Sequence, residues 1–267
     1  MPKIEANGIE VYYEIQGSGA PLVLISGLGY PLWQWHRLAP LLAERFKVIT
    51  FDNRGVGQTD KPAGPYTASL LAADLAGLLN ALGVGQASVL GHSMGGFIAQ
   101  AFALEYPSML TKLILASTNF GGPRHVPVSP EAFKVLTDVS SEPLTRFKNG
   151  LAVSTAPGFA SRHPEIIQAW LDWRLANPLD VPGYQAQLAI GLGLLTEEAS
   201  FENRLKHICA PTLILFGAHD LVVPPANAAL LARQISGSRV LILPQAGHFF
   251  PIETPQAAAE AIIEFAG

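Results

Sequence analysis

Six short apolar runs recur along the chain: Pro21–Ile25, Lys47–Phe51, Ala87–Leu90, Leu113–Ala116, Thr212–Phe216 and Val240–Leu243. A continuous apolar run of this length, bounded by turn residues, fits a strand buried on both faces. Ahead of them, Lys3–Ala6 and Ile9–Ile15 flank Asn7-Gly8, a dipeptide that tolerates the positive φ of a tight hairpin turn. Helical patterns fill the gaps. Leu70, Leu71, Leu75, Leu78, Leu79 and Leu82 keep helical spacing, with Thr67 as the expected N-cap and Gly83 as the stop. Met94–Glu105 is apolar almost all round and ends at Tyr106-Pro107, the pattern of a helix packed inside a fold. Alternating strand and helix over this length predicts a mostly parallel eight-stranded sheet with helices on both faces.

One stretch breaks the alternation. From about 121 to 200 there is no good buried strand but several helix-like pieces, eight prolines, and the aromatics Phe133, Phe147, Phe159, Trp170, Trp173 and Tyr184. About 80 residues is too long for a structureless loop. The expectation is a helical cap (121–200) inserted into a core made of 1–120 and 201–267. The cap carries six basic residues against eight acidic ones, so it is no basic funnel for an anionic polymer, and a small neutral or singly charged substrate is expected.

Composition narrows the function. The chain has 267 residues, 49% hydrophobic and 14% charged, which is too apolar for disorder and long enough to bury a large core. Its net charge of −4 argues against a nucleic-acid binder or a polybasic membrane anchor. The single cysteine, Cys209, excludes a disulfide framework and is expected to be a small buried residue. No apolar N-terminal region or membrane-length apolar stretch is evident, so the chain is expected to be cytoplasmic. Dinucleotide, phosphate-loop and His-Glu-x-x-His motifs are absent, so no metal or cofactor is expected.

The sharpest chemical signal is Gly91-His92-Ser93-Met94-Gly95, directly after one apolar run and directly before a helical one. A strand–turn–helix around Gly-x-Ser-x-Gly lifts the serine above a sheet on a tight turn, with small residues letting strand and helix approach. A serine hydroxyl is a weak nucleophile and needs a histidine base oriented by a carboxylate, here in the order Ser, acid, His. Of seven histidines, His248 lies in the loop after Val240–Leu243, where open α/β sheets place ligands. Asp220 lies in the loop after Thr212–Phe216, while the rival position, Ser117-Thr118-Asn119, holds no acid. Asp52 precedes Ser93 and is expected to brace its loop with Arg54. Oxyanion donors are expected from the backbone N–H groups of Met94 and Leu28. Trp33, Trp170, Trp173, Leu221 and Phe249 are the candidates for a substrate pocket.

Ser26-Gly27-Leu28-Gly29, Asp52-Asn53-Arg54-Gly55-Val56-Gly57, Gly91–Gly95, Gly217–Asp220 and Gly247-His248, in this order, resemble the α/β-hydrolase superfamily in its helical-lid branch. The resemblance spans essentially the whole chain and implies the α/β-hydrolase fold. It also implies a serine hydrolase of a small, mostly apolar ester or lactone. Enol-lactonase, C–C bond hydrolase and perhydrolase or haloperoxidase chemistries use the same triad; an enol-lactonase acting on a carboxylated lactone would want a cap arginine, among Arg124, Arg146, Arg162 and Arg174. A non-catalytic ligand receptor is the alternative of a different class, against which the intact triad argues. One departure is that relatives usually carry His-Gly, a loop brace, where this chain has Ser26-Gly27.

Overall fold

The computed structural model describes residues 2–267. Eight strands form one sheet: β1 (Lys3–Ala6), β2 (Ile9–Gln16), β3 (Ala20–Ile25), β4 (Phe46–Phe51), β5 (Ala87–His92), β6 (Leu110–Ala116), β7 (Thr212–Gly217) and β8 (Arg239–Leu243). Their spatial order is β1-β2-β4-β3-β5-β6-β7-β8. The two pairings made by β2 are antiparallel and the other five are parallel. Asn7 and Gly8 have φ of 49° and 76°, the left-handed pair that closes the β1–β2 hairpin.

The pleat of each central strand feeds two cores. Val23, Ile25, Ile49 and Val89 join one apolar layer, and Leu22, Leu24, Val48 and Leu90 join the other. Helices α1 (Ala39–Leu42) and α11 (Pro255–Ala266) cover the second layer. The first is covered by α2 (Ala68–Ala81), α3 (Met94–Glu105) and α9 (Ala226–Gln234). Each large aliphatic side chain so buried contributes about 1.5–3 kcal/mol. Thr67 caps α2 by accepting the Leu70 N–H, and Gly83 follows its end at φ 66°. In α3, Ile98, Ala99, Ala101 and Phe102 are all buried, as the all-round apolar sequence requires.

Between β6 and β7 the chain makes α4 (Pro130–Thr137), α5 (Pro143–Ser154), α6 (Phe159–Arg162), α7 (Pro164–Ala176) and α8 (Val181–Leu192). Proline opens α4, α5 and α7 at their first positions, where its missing N–H costs nothing. A short α10 (Phe250–Glu253) follows β8. Among the described residues no helix is long and apolar enough to cross a membrane.

Two local expectations fail. Asp52 does not pair with Arg54: its carboxylate accepts the Leu32 N–H (2.8 Å) and the Gln58 N–H (2.7 Å). Arg54 instead turns to α2, where Nε and Nη2 meet Asp74 at 2.8 and 2.6 Å, and Asn7 Nδ2 donates to the same carboxylate at 2.7 Å. Both carboxylates brace loops, but through different partners, because the strand alternation ends at Phe51. Cys209 is exposed, on the connection before Pro211 rather than within β7.

Candidate active site

Ser93 stands between β5 and α3 at φ 56°, ψ −120°, a backbone conformation that a non-glycine residue holds only when its surroundings enforce it. The surroundings do so. The Ser93 N–H donates to Ala116 O (2.9 Å), and Ser93 O accepts from Gly96 N–H and Thr118 Oγ1, each at 2.8 Å. A Cβ on Gly91 would collide with Gly95 O and Ala99, and one on Gly95 would collide with Ile25 O, so both positions need glycine. The hydroxyl therefore sits at the positive end of a 12-residue helix. No described residue hydrogen-bonds it.

His248 follows β8, and its Nδ1 meets Asp220 Oδ2 at 2.8 Å. The other Asp220 oxygen accepts the Val222 and Val223 N–H groups at 2.9 and 2.7 Å, which fixes the carboxylate in a buried corner. His92 Nε2 donates to His248 O at 2.8 Å. Burial and the neighbouring His248 hold the His92 imidazole well below the usual histidine pKa, so it is neutral.

Ser93 and His248 open on one cavity of about 160 Å³. Its walls include Leu28, Phe147, Trp170, Val222 and Phe249, mostly apolar, together with Arg146 and Arg174. The hydroxyl and His248 Nε2 are not hydrogen-bonded to each other. Leu28 lies on the loop after β3. The N–H groups on either side of it are taken, Gly27 by Gln34 Oε1 and Gly29 by Gln187 Oε1, both at 3.0 Å. Among the described residues nothing accepts the Leu28 or Met94 N–H. Met94 begins α3, where the first amides have no partner within the helix.

Residues 20–255 match the α/β hydrolase fold family. The chain belongs to that family. This α/β hydrolase is 34% identical over 250 residues to the poly(3-hydroxyalkanoate) depolymerase of Ectopseudomonas oleovorans, covering 92% of this chain and 83% of the relative. Among solved structures it is similar to a thermophilic esterase from Thermogutta terrifontis, with 31% identity and a TM-score of 0.83 over 100% of this chain and 98% of the other. The enol-lactonase of Burkholderia xenovorans LB400 is 29% identical, at a TM-score of 0.83 over 99% of each chain. These relatives act as hydrolases.

Not every pocket candidate reaches the Ser93 cavity of this hydrolase. Trp170 and Phe249 line it, in edge-on contact at 4.9 Å. Trp33 and Trp173 stack on each other at 4.2 Å and line a neighbouring cleft instead. Leu221 is 50% exposed; the two amides that bond Asp220 turn the chain so that Val222 faces inward in its place. Of the four cap arginines, Arg124 pairs with Glu197 and Glu202, and Arg162 bonds Pro157 O on the exposed surface. Arg146 and Arg174 line the cavity, and each bonds a backbone carbonyl.

Sequence reasoning missed Gln34, Gln187 and Glu253; their one signal is a polar residue set among apolar neighbours. The buried Glu253 carboxylate accepts the Gly247 N–H (3.0 Å) and the Ala156 N–H (2.6 Å), tying the His248 loop to the end of α5. Burial raises its pKa from 4.5 to about 7, against the pull of those two N–H groups and His248, with Asp220 adding to the rise. Between those values the native state holds a proton that the unfolded chain has released, so this group's contribution to stability falls as pH rises from 4.5 to about 7. Glu253→Gln removes that titration. Thermal melts across this window will show a shallower pH dependence in the variant than in the wild type, and equal slopes would contradict the assignment. Some slope remains, because burial also raises Asp52, to about 6.

Proposed function

We propose that Ser93, His248 and Asp220 are the nucleophile, base and orienting acid of a serine hydrolase that cleaves a small, mostly apolar carboxylic ester or lactone through an acyl-enzyme. One observation carries the reading: a strained serine at a helix N-terminus shares a small cavity with a histidine whose far nitrogen is held by a buried aspartate. In this reading Asp220 keeps the proton on His248 Nδ1, leaving Nε2 free to take the Ser93 proton as Oγ attacks the carbonyl carbon. The Leu28 and Met94 N–H groups, neither otherwise engaged, stabilise the oxyanion. His248 then protonates the leaving alkoxide, and a water activated by the same histidine hydrolyses the acyl-enzyme. Each step uses groups of the chain and water.

The helices of residues 121–200 serve as a cap: Phe147 and Trp170 close the cavity with Phe249, limiting the acyl group and excluding water. The named relatives, an esterase, an enol-lactonase and a poly(3-hydroxyalkanoate) depolymerase, support ester or lactone cleavage. A second reading, a carboxylated lactone, is favoured by Arg146 and Arg174, two cavity-lining cations with no ion-pair partner among the described residues, set against the single Asp138 carboxylate in the same lining. A fluorophosphonate probe is expected to label Ser93 and no other residue, with loss of esterase activity in proportion. Labelling elsewhere would remove the serine-hydrolase reading, and no labelling or ester turnover at all would instead favour a binding protein on the same fold.

A further inference from the structure

The loop that carries Leu28 is gripped from both sides. On the core side, Gln34 Oε1 accepts the Gly27 N–H at 3.0 Å. On the far side, the cap holds Gly29 in three ways: its N–H donates to Gln187 Oε1 (3.0 Å), its carbonyl accepts from Arg174 Nη1 (3.4 Å), and its Cα rests against the Tyr184 ring. That packing is so close that a Cβ there would stand 2.6 Å from Tyr184 Cδ2, and Gly29 has a φ of 68°. The Gly27–Leu28 peptide, which bears the Leu28 N–H, is thereby anchored through the peptides before and after it.

Gln187 is fully buried on α8, 158 residues along the chain from Gly29. Its Nε2 donates to Arg54 O at 2.8 Å. An amide that donates to a carbonyl with its nitrogen has only one way round, so its oxygen is committed to Gly29. The side chain thus ties the cap, the Arg54 loop and the Leu28 loop at one point.

We propose that Gln187 is a positioning residue for the oxyanion hole: by holding the Gly29 peptide it keeps the Leu28 N–H turned into the cavity, so oxyanion stabilisation depends on the seating of the cap. This rests on the reading of Leu28 as an oxyanion donor. Without the Gln187 acceptor, the buried Gly29 N–H is left unsatisfied, and a loop with glycine on both sides of Leu28 is free to turn that peptide toward another partner. The Leu28 amide then loses its aim. The substrate pocket, lined by other side chains, stays in place, so the loss falls on the chemical step rather than on binding.

The test compares Gln187→Met, which keeps the length and removes the acceptor, with Gln187→Glu, which restores an oxygen at that place. Turnover of p-nitrophenyl acetate is normalised to the folded fraction. Removing a whole oxyanion donor costs 10²–10³-fold in kcat, so a misaimed one is expected to cost roughly 10–100-fold in Gln187→Met. KM is expected to stay within about twofold of the wild type, and the rate of Ser93 phosphonylation to fall in step with kcat. Gln187→Glu is expected to recover most of the lost kcat at a pH where its buried carboxyl is protonated, so that its O–H donates to Arg54 O and its other oxygen accepts the Gly29 N–H. If Gln187→Met does not fold, Gln187→Asn, whose amide is one methylene too short to reach Gly29, is expected to show the same kcat loss. Unchanged kcat in a folded variant, a loss confined to KM, or equal losses in the Met and Glu variants would overturn the inference. Phosphonate labelling of the wild type separates the two levels: no label on Ser93 defeats the parent reading, whereas a labelled Ser93 with unaffected Gln187 variants defeats only this one.

Discussion

Ser93→Ala is expected to fold with a melting temperature near that of the wild type and to lose turnover of an activated short-chain ester by about 10⁴-fold or more. The fold survives because the turn at Ser93 is held through backbone atoms. Ser93 N–H reaches Ala116 O, and Ser93 O is held by Thr118 and Gly96. Alanine bears the same positive φ with no greater strain than serine, since both carry a single Cβ. The change removes one oxygen that no other described residue hydrogen-bonds, so stability has little to lose there while the proposed nucleophile is gone. More than a tenth of wild-type activity in a folded Ser93→Ala protein would contradict the assignment, and steady-state kinetics on circular-dichroism-checked protein decides it.

Asp220→Asn carries the second large effect. The asparagine oxygen can still accept the Val222 and Val223 N–H groups, which Asp220 now receives at 2.9 and 2.7 Å, so the loop keeps its shape. Its amide nitrogen is then left facing His248 Nδ1, where the carboxylate oxygen lies at 2.8 Å. A donor in that place selects the imidazole tautomer protonated on Nε2, which cannot take the serine proton. The same change in a serine protease lowers kcat by about 10⁴, and a comparable fall is expected here. Asp52 provides the control. If Asp52→Asn, which alters a loop brace, damaged turnover more than Asp220→Asn in folded protein, the acid would have been misassigned.

The sheet was legible because a strand buried on both faces must be apolar throughout, and such runs stand out between breakers. β1 begins and ends where the pattern placed it, and the other strands extend it by one to three residues. The strand–turn–helix at Ser93 was legible for a related reason: Gly91 and Gly95 are dictated by backbone contacts that no side chain could survive. The pocket was not. Trp33 and Trp173 satisfy each other by stacking, outside the Ser93 cavity, and nothing in their spacing distinguishes that from lining it. Leu221 and Val222 differ by one position in a loop whose direction is set by Asp220 accepting two amides, a detail of turn geometry with no periodic signature. Asp52 and Arg54 look like a pair because they are two residues apart, yet the chain leaves the strand between them and their side chains reach different loops. Gln187 lay furthest from reach. Its contact with Gly29 joins the cap to the loop after β3, and no local rule links positions so distant in sequence.

Acylation of Ser93 is tested most directly by a rapid-quench experiment on the wild-type protein with an activated short-chain ester, followed by peptide mass spectrometry. An acyl group is expected on the peptide containing Ser93 within the first turnover, formed in step with a burst of released alcohol and absent from Ser93→Ala. Turnover with no acylated Ser93 at any quench time, together with undiminished activity in Ser93→Ala, would contradict it.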